Sequence, residues 1–140
     1  MERRDILKDQ IEQLGRVLGK ILANFLGLKS EGRISQGIEM TNKQLQLELD
    51  IDIEKITTFD GPGLRDYLKG RKLVAEHLEK LSDYLAQVGK FTWEDDKQKA
   101  KRLLETAIEL LDIADEISKT ASFDRVDRRH KIEEMLQRRM

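Results

Sequence analysis

Apolar residues recur at three- and four-residue intervals along most of this chain, the spacing that gathers them on one face of a helix. The first run is the cleanest. Ile6, Leu7, Ile11, Leu14, Val17, Leu18, Ile21, Leu22 and Phe25 line one side, and Asp5, Lys8, Asp9, Glu12, Arg16 and Lys20 take the other. Glu12 precedes Arg16 by one turn, the favourable order for a helical ion pair. Gly27 and the polar run Lys29-Ser30-Glu31-Gly32 close the element, so an amphipathic helix is expected over 3–27.

From Arg33 the pattern carries two periods at once. Leu45, Leu47, Leu49, Ile51 and Ile53 alternate with polar residues, which reads as a strand. Ile34, Ile38, Leu45 and Leu49 also share one helical face, with Met40 and Leu47 on the opposite side. A lone strand leaves its backbone groups unpaired, and no second alternating run exists to pair with it. The reading is helix to Leu49, then an irregular or short helical passage through Ile51, Ile53 and Ile56. Met40, Leu47 and Ile51 stand apart from the main face, and together they are the expected interface.

Thr57-Thr58-Phe59-Asp60-Gly61-Pro62-Gly63 is the strongest breaker, with Asp60 placed to cap a helix whose first turn holds the only proline. Leu64, Tyr67, Leu68, Val74, Ala75, Leu78, Leu81, Leu85 and Val88 then mark a third long helix. Gly70 lies inside it at a cost of roughly 1 kcal/mol relative to alanine, and Gly89 is expected to end it. Thr92 reads as the cap of a fourth helix over 94–118, whose apolar face is wide enough to pack on two sides. A last helix, 123–138, starts from Ser122 or Asp124 and turns Phe123, Val126, Ile132, Met135 and Leu136 inward. The fold class is thus all-α: about five antiparallel helices in one domain spanning 1–140. A helix pair over 3–56 and another over 64–118 flank the breaker at 57–63, and 123–138 closes the chain.

Composition narrows the function classes. With 140 residues the chain can bury a core without metal or disulfide, and its lack of cysteine removes thiolate zinc sites and cysteine nucleophiles. Lys plus Arg number 26 against 27 Asp plus Glu, a balance that disfavours nucleic acid as the partner. No apolar run near the start is long enough for a secretory signal or a membrane span, so a cytoplasmic protein with no membrane contact is expected.

Candidate chemistry is sparse. His77 has Leu73, Val74, Lys80 and Leu81 one turn away, none a usual metal ligand. His130 has Asp127, Glu133 and Glu134 at helical spacing, but Arg128, Arg129 and Lys131 repel a cation there. The acids Glu48, Asp50, Asp52 and Glu54 lack the glycine of a calcium loop, and Glu94-Asp95-Asp96 fits the positive end of a helix dipole. Gly61-Pro62-Gly63 lacks the lysine and spacing of a phosphate loop. No reaction motif is present, and no catalytic residue, cofactor or metal is expected. The crowded cations Arg125, Arg128, Arg129 and Lys131 form a candidate docking patch, with a solvated helix face as the plainer reading.

Tyr84, Phe91, Ala100, Leu104 and Ala107 stand at offsets similar to the aromatic-aromatic-Ala-large-Ala positions of a tetratricopeptide repeat of about 34 residues. Gln87, Val88 and Asp112 depart from that pattern, having replaced the usual Leu, Gly and Pro. Across its length the chain resembles a family of small, uncharacterised bacterial helical proteins with tetratricopeptide-like topology. The strings that carry this are Phe25-Leu26-Gly27-Leu28-Lys29, Leu49-Asp50-Ile51-Asp52-Ile53, Ala107-Ile108-Glu109-Leu110-Leu111 and Ser122-Phe123-Asp124-Arg125. The resemblance implies a fold and no reaction. The expected function is a non-catalytic protein-interaction module or small scaffold, with a structural homo-oligomer as the alternative. A small-ligand binder or enzyme built around a histidine comes last.

Overall fold

The computed structural model describes the backbone of residues 2–139 and the side chains of 7–138. The side chains of Asp5 and Ile6, assigned above to opposite faces of the first helix, lie outside the described residues. Among the described residues the chain is all-helical, with seven helices and no strand: α1 Glu2–Ser30, α2 Ile34–Leu49, α3 Ile53–Ile56, α4 Gly61–Leu68, α5 Ala75–Thr92, α6 Lys97–Ser118 and α7 Phe123–Arg139. The five main helices expected become seven: the passage expected after Leu49 forms the short α3, and the third long helix is split into α4 and α5. The chain forms two compact units, one of residues 1–56 with 68–73, the other of 57–67 with 74–140.

In the first unit α1 and α2 form a hairpin. Gly32 in the left-handed region reverses the chain, and the Arg33 N–H reaches back to the Leu28 carbonyl at 2.8 Å. Leu18, Ile21 and Phe25 of α1 are buried with Leu45 and Leu49 of α2. Gly37 makes the close approach of these helices possible, since a β-carbon there would lie 3.3 Å from both Leu28 Cβ and Phe25 Cδ1. Asp50 then takes a left-handed conformation, and the Ile51 N–H closes on the Leu45 carbonyl at 3.1 Å. That closure rolls Ile51 under the helix end, where it is fully buried beside Ile53 and Ile56. Period two at 45–53 is therefore a helix end followed by a turn and the short α3.

The expected helix from Leu64 to Val88 is broken at 69–74. Gly70 and Lys72 both have positive φ, and a right-handed helix cannot run through either. Residues 68–73 belong with the first unit, where Arg71 bonds the Asp50 carbonyl at 2.9 Å and Lys72 Nζ bonds Gln10 Oε1 at 2.8 Å.

In the second unit Asp60 caps α4, as its sequence position indicated, by accepting from the Gly63 N–H at 2.8 Å. The core is the α5–α6 hairpin, with Leu78, Leu81, Tyr84, Leu85 and Val88 buried alongside Ala100, Leu103, Leu104, Ala107, Leu110 and Leu111. Gly89 does not end α5, which continues to Thr92. It is buried where Leu104 crosses, and a β-carbon there would lie 2.9 Å from two Leu104 carbons. Asp96, not Thr92, caps α6, accepting from the Lys99 N–H at 3.0 Å. Ser122 caps α7 through the Arg125 N–H, again at 3.0 Å. Arg65 ties α4 to α6 by two bonds to Glu116, at 2.7 and 2.9 Å.

Candidate functional site

Of the three expected interface residues, Met40 and Leu47 are exposed on the outer face of α2, Leu47 to 73%. Ile51 is not on that face. It was projected outward by extending the helix, but α2 stops at Leu49 and the left-handed Asp50 turns Ile51 into the core.

The basic cluster also separates. A helix that begins at Phe123 places Arg125, Arg129, Ile132 and Leu136 on one face, and that face packs inward. Arg125 is 6% exposed. Its guanidinium donates to Asp115 Oδ1 of α6 at 2.5 Å and to Glu79 Oε1 of α5 at 2.7 Å. It also donates to Ser118 Oγ and the Thr120 carbonyl in the α6–α7 turn. Arg129 Nη2 donates to Asp112 at 2.6 Å and to Asp115 at 3.1 Å. Arg128 and Lys131 instead pair along α7 with Asp124 and Asp127. A four-cation docking patch is thus not presented: two of its members are structural anchors, and the other two are neutralised one turn back.

These pairings set the electrostatics. Burial pushes the Asp115 carboxyl up, but hydrogen bonds and charge from Arg125 and Arg129 outweigh it and hold the group below the usual carboxylate range. Hydrogen bonds to Asp115 and Glu79 raise Arg125 against its desolvation. Arg125 therefore stays charged although buried. The partner carboxylates Glu79, Asp112 and Asp115 were not singled out from sequence. A legible signal existed: Asp112 and Asp115 stand one turn apart among Leu110, Leu111, Ile113 and Ala114, the most apolar stretch of α6.

The two histidines take different places in the fold. His77 is buried at the start of α5, where its Nδ1 accepts the Val74 N–H at 3.2 Å. Val74 has no side-chain acceptor, so His77 completes the helix start in the manner of a capping box, its ring proton on Nε2. His130 is exposed on the outer face of α7. Asp52 accepts the Lys55 N–H at 3.2 Å, and Asp50 pairs with Arg71. Among the described residues no group of three His, Asp or Glu side chains could hold a metal ion.

An open groove of about 410 Å³ runs between α5 and α7. Ser82, Ala86, Ile132 and Met135 line it, with Asp83 and Lys90 on the α5 side and Arg128 and Lys131 on the α7 side. A second opening of about 570 Å³ lies between residues 57–61 and α6, bordered by Phe59, Leu64, Arg102, Glu105 and Ile108. Phe123, expected inside, is 95% exposed at the first turn of α7, and Val126 is exposed with it. No helix among the described residues is long and apolar enough to cross a membrane. No family model, curated protein or solved structure matches the chain.

Proposed function

We propose that this chain is a non-catalytic protein-interaction module or small helical scaffold, and that the α5–α7 groove receives a peptide segment of its partner. The observation that carries this reading is the groove itself. It has an apolar floor at Ala86, Ile132 and Met135 between two rims of mixed charge, the arrangement that gives a peptide both buried contact and register. The non-catalytic part is supported by the histidines, one committed to a helix start and the other facing solvent, and by carboxylates already bound to arginine or backbone. The tetratricopeptide-like part draws on α5–α6, where Tyr84, Ala100, Leu104 and Ala107 are all buried at repeat-like offsets while Phe91 is exposed.

Selection of displayed peptides against the immobilised full chain tests the reading. Ala86→Arg fills the groove floor and should weaken selected peptides at least tenfold, while Leu47→Glu on α2 should leave them unchanged. Failure to select any peptide, or equal binding by the Ala86→Arg variant, would sink it. A second reading, self-association, rests on the exposed Met40 and Leu47 on one face of α2. Light scattering at two concentrations decides that case, with Leu47→Glu lowering the mass if the face is used.

A further inference from the structure

The contacts that hold α7 are of a different kind from those that hold the α5–α6 hairpin. The hairpin is sealed by a continuous set of leucines and alanines. On α7, Ile132 is the only aliphatic side chain fully buried among the described residues, with Met135 and Leu136 half-buried. Its first two turns carry Phe123 and Val126 outward, so their attachment falls to arginine. Arg125 and Arg129 reach three carboxylates that belong to the hairpin: Glu79 of α5, and Asp112 and Asp115 of α6. The cleft under α7 is therefore acidic with a small apolar floor, and α7 is the arginine-bearing helix that complements it.

We propose that this cleft is a receptor for an arginine-bearing helix, that α7 occupies it as a displaceable intramolecular ligand, and that α7 of a second copy takes the same place in trans. The chemistry required of the occupant is already shown by the chain. Two arginines one turn apart must be followed by an apolar residue three further on, as in Arg125, Arg129 and Ile132. Release is feasible because the three carboxylates are partly solvated even with α7 in place, their side chains being 19–41% exposed. The connection back to α6 is short, residues 119–122, and Lys119 within it holds a left-handed conformation that a non-glycine residue relaxes on opening. Exchange of identical helices between copies forms the same contacts twice and closes the pair, so no further surface is needed. This inference is tested apart from the groove reading: it concerns the surface beneath α7, whereas the groove is lined in part by α7 and exists only while that helix is docked.

The test uses the full chain and a fluorescein-labelled synthetic peptide of residues 121–139. Arg125→Glu in the chain sets a carboxylate against Glu79 and Asp115 and frees the cleft. That variant should bind the peptide at least tenfold more tightly than the wild-type chain, whose own α7 competes. Adding Asp115→Asn should remove the gain. Equal affinity for the two chains, or no binding by the Arg125→Glu variant, overturns the proposal. Hydrogen exchange on the same variant should show α5 and α6 protected, and loss of that protection also overturns it, because α7 would then not be separable. For exchange between copies, Arg125→Glu chain is mixed with Asp115→Arg chain, which keeps an intact α7 but a reversed cleft. Light scattering should show a one-to-one complex that neither variant forms alone, and a mixture that keeps the mass of its components overturns it.

Discussion

Arg125 and Asp115 face each other across the α6–α7 turn, with a nearly buried guanidinium bonded through Nε to a carboxylate that Arg129 also holds. The pair converts a run of surface-like charges into the attachment of a helix. Its value lies in the cost of breaking it, since a charge left without its partner in a part-buried site is far more expensive than the intact pair is favourable.

Arg125→Met should therefore lower the free energy of unfolding by about 2–4 kcal/mol, because Glu79 loses its cation and Asp115 keeps only its contact with Arg129. Urea denaturation measures this. A double-mutant cycle with Asp115→Asn should show coupling on the order of 1–3 kcal/mol, the double variant losing less than the sum of the singles.

The same cluster sets the acid limb of stability. The folded-state pKa of Asp115 is depressed, so its contribution is fully present above the carboxylate's unfolded value, roughly 4, and is lost as pH falls through the lower folded value. Glu116 acts in the same direction, lowered mainly by its hydrogen bonds from Arg65 against a smaller opposing burial. Arg65, Arg125 and Arg129 remain charged throughout and add no slope of their own. Stability measured from pH 6 down to pH 2 should fall most steeply below about pH 4, and Asp115→Asn should flatten that fall.

Leu47 and Ile51 have the same apolar character and lie four residues apart, yet they should respond oppositely. Leu47→Glu exchanges one exposed side chain for another and should change stability by no more than about 0.5 kcal/mol. Ile51→Ala empties a fully buried site and should cost about 2–4 kcal/mol. Thermal melts of the two variants check this directly, and a large loss in Leu47→Glu would mean that α2 is covered in solution.

Period and capping chemistry made much of the helical layout legible. The face of α1, the cap at Asp60 and the helix end near Leu49 were all readable, because each depends on residues close in sequence. What was not legible depended on backbone sign or on distant partners. Asp50 adopts a left-handed conformation without being glycine, so the inward turn of Ile51 left no residue-type signal; the break before α5 was marked by Gly70 but not by the equally left-handed Lys72. Arg125, Arg128, Arg129 and Lys131 are neighbours in sequence but do not share one helical face. Read by helical face, Arg125 and Arg129 fall with Ile132 and Leu136, and their burial follows. The groove between α5 and α7 could not be foreseen, since it depends on which way α7 docks.

The two glycines Gly19 and Gly89 separate helix propensity from packing. Both lie inside helices, where alanine is favoured over glycine by about 1 kcal/mol. A β-carbon on Gly19 would meet nothing within 4 Å, so Gly19→Ala should raise stability by about 0.5–1 kcal/mol. On Gly89 the added carbon would stand 2.9 Å from Leu104 Cγ and Cδ2 and 3.3 Å from the Ala100 carbonyl oxygen. Leu104 is fully buried in the hairpin core, and the carbonyl belongs to the first turn of α6. The helices must then separate by several tenths of an ångström, an overpacking strain of about 1–3 kcal/mol that outweighs the propensity gain. Gly89→Ala should lower the midpoint of thermal unfolding while Gly19→Ala raises it. A stabilised Gly89→Ala variant would mean that α5 and α6 cross at a greater distance than the Gly89–Leu104 contact requires.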